Sequence, residues 1–397
     1  VNNVFNVANF ACMGFTYGLT PLIGALFTQK RFDTIGAMIR TGVWLNIAFT
    51  LLVTAVMTLV WLNLDRMGQP EELLPLIRPY YLIVLAGLLP ISLFNVFAQW
   101  LFAINRTRLP MWIVLGANAV NILGNYVFIY GNWGMPELGL MGAGVSTLTA
   151  RIICPLTVIA IFCFRKEFSE YFRGFRHGRM TRRMALQVNR TSWPVSMQMT
   201  FESGSFTFAA VMAGWLGAIS LAAFQIIVIT GTLGFCIYYS MGNAVSVLVA
   251  NASGLSDRRE MRRVAFAGYH IILTLATISS LIFIFFERDM IHAFTEDIRV
   301  IEATVALIVP LVMYQLGDAT QINFANALRG TSHVMPMIWI AFVSYVVVGV
   351  PVTYLMGFPL GLGTYGIIMS FSVSLFLAAA LFLYFFLRST RKELEHV

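Results

Sequence analysis

Two acidic residues lie deep in long apolar stretches of this sequence. Glu202 belongs to "QMTFESGSF" (198–206), and Asp318 belongs to "YQLGDATQ" (314–321). A charge near the middle of a bilayer costs about 2.5–3.5 kcal/mol on insertion scales. Desolvation favours the protonated form of a carboxylate, and a second carboxylate nearby favours it further, so such a pair can exchange a proton or a small metal cation. We therefore predict a cation or proton site; the alternative is a permanently protonated pair that packs helices together.

Counting residues places both carboxylates at a similar depth. Glu202 is 12 residues beyond Arg190, or about 18 Å along a helix. Asp318 is 11 residues before Arg329, or about 16 Å. Neither carboxylate has a lysine or arginine within its predicted span, so the sequence offers no basic partner at that depth.

Further oxygen-bearing side chains share the helix faces of these carboxylates. Tyr314 lies four residues before Asp318 and Gln321 three after it, while Gln198 lies four before Glu202. Hard oxygen ligands suit small metal cations. The chemistry leaves Na⁺ and H⁺ equally open, and each polar pair could instead only bridge helices.

The first half of the chain carries amides rather than carboxylates in its spans. Asn121 and Asn125 are four residues apart in "NILGNYVF", which predicts a polar cluster; the alternative is interhelical hydrogen bonding, at about 0.6 kcal/mol per bond. Pro194 and Pro310 each lie eight residues from a carboxylate. They are predicted hinges, although proline is generally enriched in membrane helices.

The composition is that of a polytopic membrane protein. The 397 residues are 58% hydrophobic and 11% charged, with a mean hydropathy of +0.78, whereas soluble domains carry about 25% charged residues. The net charge of +8 comes from basic residues between the apolar stretches, so it indicates topology rather than nucleic-acid binding. The four cysteines are interpreted as small hydrophobic residues.

Eleven apolar stretches are long enough to cross a bilayer as helices. They are predicted at 4–28, 41–62, 78–102, 111–131, 139–164, 191–215, 219–250, 264–286, 301–327, 336–356 and 363–387. Lysine and arginine concentrate in alternate loops, so the positive-inside rule predicts a cytoplasmic C-terminus and an outside Val1.

The two halves of the chain resemble each other. "LPMWIV" (109–114) matches "MPMIWI" (335–340), and "GLMGAG" (139–144) matches "GLGTYG" (361–366). The predicted organisation has four parts: a first lobe 1–164, a basic cytoplasmic linker 165–190, a second lobe 191–387 and a cytoplasmic tail 388–397. Because the halves have five and six spans and the chain begins at valine, we expect a twelve-helix protein without its first helix; a cleaved signal peptide is the alternative.

No pattern for an enzyme is visible. The sequence lacks GxxxxGK[ST], HExxH and GxSxG, and only one of five histidines, His270, falls inside a span. We therefore predict a protein that is not an enzyme and needs no cofactor beyond a coupling ion.

Four motifs, in order, resemble the multidrug and toxic compound extrusion (MATE) transporters, specifically their bacterial NorM-like branch. They are "GFTYGLTPLIGALF", "NYVFIYGNWGMPELGLMGAGVST", "SWPVSMQMTFE" and "YQLGDATQINFANALRGTSHVMPM". The resemblance covers essentially the whole chain. It implies two six-helix lobes around a V-shaped cleft.

The resemblance also implies roles for individual residues. Glu202, Asp318 and Tyr314 would form the cation-coupling site of the second lobe, with the two carboxylates as metal ligands if the ion is Na⁺. Asn121 and Asn125 would belong to the polar cluster of the first lobe. The family's aspartate on the first helix has no counterpart in this chain.

The implied function is secondary active export. The protein would exchange amphipathic, often cationic organic compounds for inward Na⁺ or H⁺, as a monomer in the lipid of the bacterial inner membrane and without nucleic-acid partners. The main alternative is a flippase for a lipid-linked sugar, which should show several cationic residues in its cleft. An intramembrane enzyme would instead need a nucleophile with its base or a metal cluster, and a passive channel would need polar residues along the full length of its spans.

Overall fold

The computed structural model describes residues 2–64 and 74–391, where every regular element is helical. The α-helices are α1 (Asn2–Tyr17), α2 (Leu19–Thr28), α3 (Phe32–Leu62), α4 (Leu74–Ala86), α5 (Leu88–Ala103), α6 (Arg108–Tyr130), α7 (Leu140–Phe164), α8 (Ser169–His177), α9 (Arg182–Trp215), α10 (Ala218–Gly254), α11 (Arg258–Phe285), α12 (Glu287–His292), α13 (Ile298–Val305), α14 (Ile308–Gly330), α15 (Pro336–Ala341), α16 (Val350–Gly357) and α17 (Gly363–Ser389). Short 3-10 turns occupy Asn132–Gly134 and Lys166–Phe168, and a π-helical segment occupies Phe342–Gly349.

Among the described residues, nine helical stretches are long and apolar enough to cross a membrane. The number rises to ten if α13 and α14, which meet at 47°, form one broken span. These stretches confirm the predicted all-α, polytopic class. The remaining predicted span, 191–215, falls within α9. This helix is not among the ten because polar residues such as Glu202 and Gln198 lower its hydropathy.

The chain divides into two compact units, residues 1–196 and 197–397. The boundary falls within α9, two residues after Pro194. The four-part organisation predicted above stays a prediction, and residues 392–397 of its C-terminal tail lie outside the described residues.

The first unit has an aromatic core around Trp100 of α5. The buried Trp100 ring packs edge-on against Phe162, Phe168 and Tyr171, with centroids 5.0, 4.9 and 5.4 Å away. Two of these partners lie in the predicted basic linker, which therefore contributes apolar side chains to the core.

Helix α8 lies close against α3 because both helices have glycine at the contact. A methyl group on Gly36 would lie 2.1 Å from the carbonyl oxygen of Tyr171, and one on Gly174 would lie 2.2 Å from that of Asp33. The guanidinium of Arg173 donates two hydrogen bonds to the Asp33 carboxylate, at 3.1 and 3.2 Å. This ion pair is exposed, so the backbone contact matters more for holding α8 in place.

Helix α14 is the buried centre of the second unit. It packs against α10, α11 and α17, and most of its residues from Ile308 to Gly330 are buried. Six of its buried side chains are polar or charged: Gln315, Asp318, Gln321, Asn323, Asn326 and Arg329. Buried polar groups at membrane depth are costly and usually functional, so this helix is the best candidate to carry a functional site.

Candidate functional site

The structure brings the two predicted carboxylates together within the second unit. Glu202 projects from α9 and Asp318 from α14, and the two side chains interact electrostatically. Asp318 is 4% exposed, whereas Glu202 is only half-buried. The pair therefore has one buried member and one that remains partly accessible.

Two glutamines hold Glu202. Gln198 Nε2 donates a hydrogen bond of 2.6 Å to Glu202 Oε2, and the side chain of Gln321 also hydrogen-bonds Glu202. The carbonyl oxygens of both amides, Gln198 Oε1 and Gln321 Oε1, are buried and have no hydrogen-bond partner among the described residues. Two carboxylates and two uncommitted amide oxygens form a donor set that fits a hard cation.

No group of three His, Cys, Asp or Glu side chains gathers anywhere in the described ranges. A Na⁺ ion at this site would therefore bind two carboxylates and complete its shell with amide oxygens or water.

Tyr314 lies one helical turn before Asp318 and is 5% exposed. Its ring packs against Phe371 of α17, with centroids 5.9 Å apart. On its other side lies Gly231 of α10, whose carbonyl oxygen accepts a 2.9 Å hydrogen bond from Gln315 Nε2. A methyl group on Gly231 would lie 1.8 Å from the Tyr314 hydroxyl oxygen. The predicted site tyrosine is thus fixed between α10 and α17.

Tyr345 is a residue that the sequence did not indicate. It lies in the π-helical segment, is 2% exposed, and its hydroxyl has no hydrogen-bond partner among the described residues. It interacts electrostatically with both Glu202 and Asp318. The Phe342 ring, one turn earlier, contacts Phe201 at 5.7 Å, which places the segment beside α9 at the level of the carboxylates. The only signal in the sequence that could have indicated this residue is a tyrosine within a predicted apolar span.

The structure corrects the prediction that no basic residue lies near the carboxylates, because Arg329 is close enough to interact with Glu202. The sequence places this arginine beyond the span 301–327, without a role at the carboxylates. In the structure α14 continues to Gly330, and Arg329 is 3% exposed and interacts electrostatically with Glu202. The prediction missed it because the end of a helix cannot be located from hydropathy alone when that end is buried by neighbouring helices.

The predicted amide cluster of the first unit links α6 to α7. Asn121 Nδ2 donates to Ser146 Oγ at 3.2 Å and to Thr147 Oγ1 at 3.4 Å, and Ser146 Oγ donates to the Asn121 carbonyl oxygen at 2.6 Å. Asn125 Nδ2 donates to Asn121 Oδ1 at 3.4 Å, but its own Oδ1 is buried without a partner in the described part of the chain. The geometry of Asn121 matches interhelical bonding, while Asn125 retains a free acceptor.

The two predicted hinges occupy different settings. Pro194 lies inside α9, which continues without a break to Trp215. Pro310 lies in the first turn of α14, next to the 47° bend that separates α14 from α13. A proline in the first turn of a helix leaves no helical hydrogen bond unmade, so α14 accommodates Pro310 at its start. Of the two predicted hinges, only Pro310 lies next to an interruption of the helix.

Comparison with known proteins identifies sequence relatives over most of the chain. The sequence profile of the family described as MatE matches residues 1–127 and 194–355. A "Probable multidrug resistance protein NorM" from Bradyrhizobium diazoefficiens is 29% identical over 380 residues, or 93% of this chain and 81% of that protein. A protein of the same name from Agrobacterium fabrum is 26% identical over 387 residues, or 96% of this chain and 83% of that protein.

Solved structures have the same fold. The eukaryotic MATE transporter AtDTX14 superposes with a TM-score of 0.87 at 16% identity, covering 98% of this chain and 87% of that one. A MATE in complex with MaL6 gives a TM-score of 0.86 at 18% identity, covering 97% and 86%. At these identities the likeness shows the fold alone. Together with the family profile, it establishes that this chain belongs to the MatE family, the MATE transporters, and is similar to its bacterial NorM members.

Proposed function

We propose that this protein is a secondary active multidrug exporter that exchanges amphipathic, often cationic organic compounds for inward Na⁺ or H⁺. The names of its NorM relatives support multidrug efflux. The coupling site is proposed at Glu202, Asp318 and Tyr314, with Tyr345 as an additional member.

The pair of interacting carboxylates, one buried and one half-buried, is the observation that carries this proposal. A membrane protein retains two interacting carboxylates at this depth at considerable cost. The amide oxygens of Gln198 and Gln321 lie beside them without hydrogen-bond partners among the described residues. An incoming cation with its water, or a proton taken up by either carboxylate, would satisfy these acceptors, so the donor set fits a site that an ion visits.

Each residue has a proposed part in the cycle. The ion first meets Glu202, which is the more accessible carboxylate, and then Asp318, which is buried. Binding lowers the negative charge of the pair, so the occupied and empty sites favour different arrangements of α9 and α14. Export follows if the drug binds better to the ion-free state, because a ligand shifts an equilibrium only by its differential affinity.

The membrane potential gives this exchange its driving force. Each positive charge that moves inward across 100 mV releases about 2.3 kcal/mol, somewhat more than a tenfold gradient supplies. The proposed location is the bacterial inner membrane, with a cytoplasmic C-terminus and a monomer as the working unit.

The test is transport by the purified protein in proteoliposomes with a fluorescent cationic dye. A Na⁺ gradient and a pH gradient are imposed separately on wild type, Glu202→Gln and Asp318→Asn. We expect one gradient to move dye in wild type, and each substitution to lower that rate by about tenfold or more, since each removes an ionisable ligand. Glu302→Gln, which alters an exposed glutamate of α13, serves as the control and should transport as wild type does.

Two outcomes contradict the proposal. If the substituted proteins respond to the gradient as wild type does, the carboxylates are structural. If neither gradient moves dye even in wild type, the flippase for a lipid-linked sugar becomes the better hypothesis.

A further inference from the structure

A cavity lies at the surface of the first unit, and residues of neither the amide cluster nor the carboxylate site line it. Its volume is about 390 Å³, and it is formed where α6 begins and α7 ends. The lining residues are Asn105, Arg106, Thr107, Arg108, Leu109, Trp112, Arg165 and Glu167.

The cavity is positively charged. Three arginines and one glutamate line it, so its formal net charge is +2. Glu167 pairs with Arg106 and, at 3.5 Å, with Arg165. This carboxylate thus holds two guanidinium groups at the rim, and Arg108 adds a third. Arginine recognises phosphate through paired N–H groups, so an anionic phosphate is the ligand chemistry that the cavity suits.

The cavity also lies at the boundary between polar and apolar surface. Arg108 starts α6, and Trp112, one turn later, is 66% exposed. Phe164 ends α7 immediately before Arg165 and is 86% exposed. Both helices are long and apolar enough to span a membrane, and tryptophan is enriched where such helices meet the headgroup region. A ligand in the cavity would therefore have lipid-facing apolar surface directly beside it.

We propose that this cavity binds the headgroup of an anionic phospholipid. The phosphate lies among Arg106, Arg108 and Arg165, the Trp112 ring lies at the level of the glycerol, and the acyl chains follow the exposed apolar surface of α6. Arg165 belongs to the linker 165–190, which is predicted above to be cytoplasmic, and clusters of lysine and arginine on that face attract anionic lipids. The proposal does not depend on the carboxylate site.

The experiment measures lipid retention by the intact protein using native mass spectrometry. Phosphatidylglycerol and phosphatidylcholine with identical acyl chains are titrated separately into detergent-solubilised protein. We expect wild type to retain phosphatidylglycerol preferentially. Arg108→Gln and Arg165→Gln should each weaken that retention about fivefold, the effect of one basic residue near a membrane surface.

The control variant is Arg179→Gln, which removes the same charge from an exposed arginine outside the cavity. It should retain phosphatidylglycerol as wild type does, and thermal unfolding of all variants verifies that they are folded. Inorganic phosphate is added as a competitor to separate a lipid site from a site for a free anion. We expect millimolar phosphate to displace little phosphatidylglycerol, because it gains nothing from the apolar surface.

Three results would overturn the proposal: equal retention of the two lipids, equal effects of the control and cavity substitutions, or full displacement of the lipid by inorganic phosphate. If one cavity variant fails to fold, the other still decides between these outcomes.

Discussion

Individual side chains decide what the carboxylate site can do. Glu202 receives hydrogen bonds from two amides, whose carbonyl oxygens have no partner among the described residues. When an amide NH₂ group donates to a carboxylate, the oxygen of the same amide points away from that carboxylate. Gln198 and Gln321 therefore orient Glu202 and also supply oxygen acceptors for another group. Gly231 also contributes to the site, because its missing side chain leaves room for the Tyr314 hydroxyl.

Gly231→Ala tests that spacing. Alanine for glycine within a helix is usually favourable by up to about 1 kcal/mol, but here the added methyl group would overlap Tyr314, which is packed against Phe371. We expect a loss of about 1–3 kcal/mol, as for other overpacked sites. Thermal unfolding of the purified protein and the dye-transport assay give the measurement.

Gly204→Ala is the matched control for this substitution. Gly204 lies two residues from Glu202 on α9, and nothing lies within 4 Å of a methyl group placed there. This variant should be as stable as wild type or slightly more so. Equal stability and equal transport in the two alanine variants would contradict this prediction, because they would show that the space beside Tyr314 does not require glycine at position 231.

At the scale of elements, the π-helical segment Phe342–Gly349 interrupts the α-helical geometry between α15 and α16. Such segments are rare and occur frequently at functional sites, because the altered turn changes the direction of the side chains that follow. Here the segment carries Tyr345, whose buried hydroxyl interacts with both carboxylates and has no described hydrogen-bond partner. The π turn therefore adds a third element to a site otherwise formed by α9 and α14.

Tyr345→Phe distinguishes a structural hydroxyl from one that serves the ion. Because the hydroxyl has no partner in the described structure, its removal should leave thermal stability unchanged or slightly raised. The ion concentration needed for half-maximal transport should rise about tenfold or more, which is the effect of losing a hydrogen bond to a charged group. The measurement is the ion concentration that gives half-maximal dye transport.

Tyr354→Phe is the comparison, since Tyr354 lies on the adjacent α16 and is 48% exposed. It should change neither stability nor ion dependence. A fall in stability for Tyr345→Phe with unchanged ion dependence would make its hydroxyl a packing element only.

At the scale of the whole molecule, the distribution of basic residues predicts orientation. The loop "GNWGMPELG" (131–139) contains no lysine or arginine, whereas "DRREMRR" (257–263) contains four arginines. The positive-inside rule predicts that the first loop lies outside and the second in the cytoplasm. The proposed lipid cavity, with Arg106 and Arg165, would lie on the cytoplasmic side.

Cysteine labelling in intact cells tests this orientation. Glu137→Cys and Arg259→Cys introduce thiols at exposed positions of the two loops. Both are made in a background with Cys163→Ala and Cys236→Ala, because the two remaining cysteines, Cys12 and Cys154, are buried. A membrane-impermeant maleimide should label position 137 and not position 259. The reverse pattern would invert the topology, and with it the leaflet proposed for the lipid.

The sequence by itself determined much of this protein. Apolar length identifies the spans, and counting from flanking arginines places Glu202 and Asp318 at matching depth, because helix rise is a local property. The motifs indicated the family that the comparisons confirm. These features need no knowledge of which helices are neighbours.

Only the tertiary structure decided the rest. The electrostatic interaction between Glu202 and Asp318 and the approach of Gly231 to Tyr314 join segments far apart in the chain, and neighbouring helices bury Arg329. The position of Tyr345 depends on a π turn that hydropathy does not encode, and the cavity at Arg108 forms only where α6 meets the end of α7. Each depends on the packing of helices against one another, and that packing is set by many distant side chains together rather than by any local stretch of sequence.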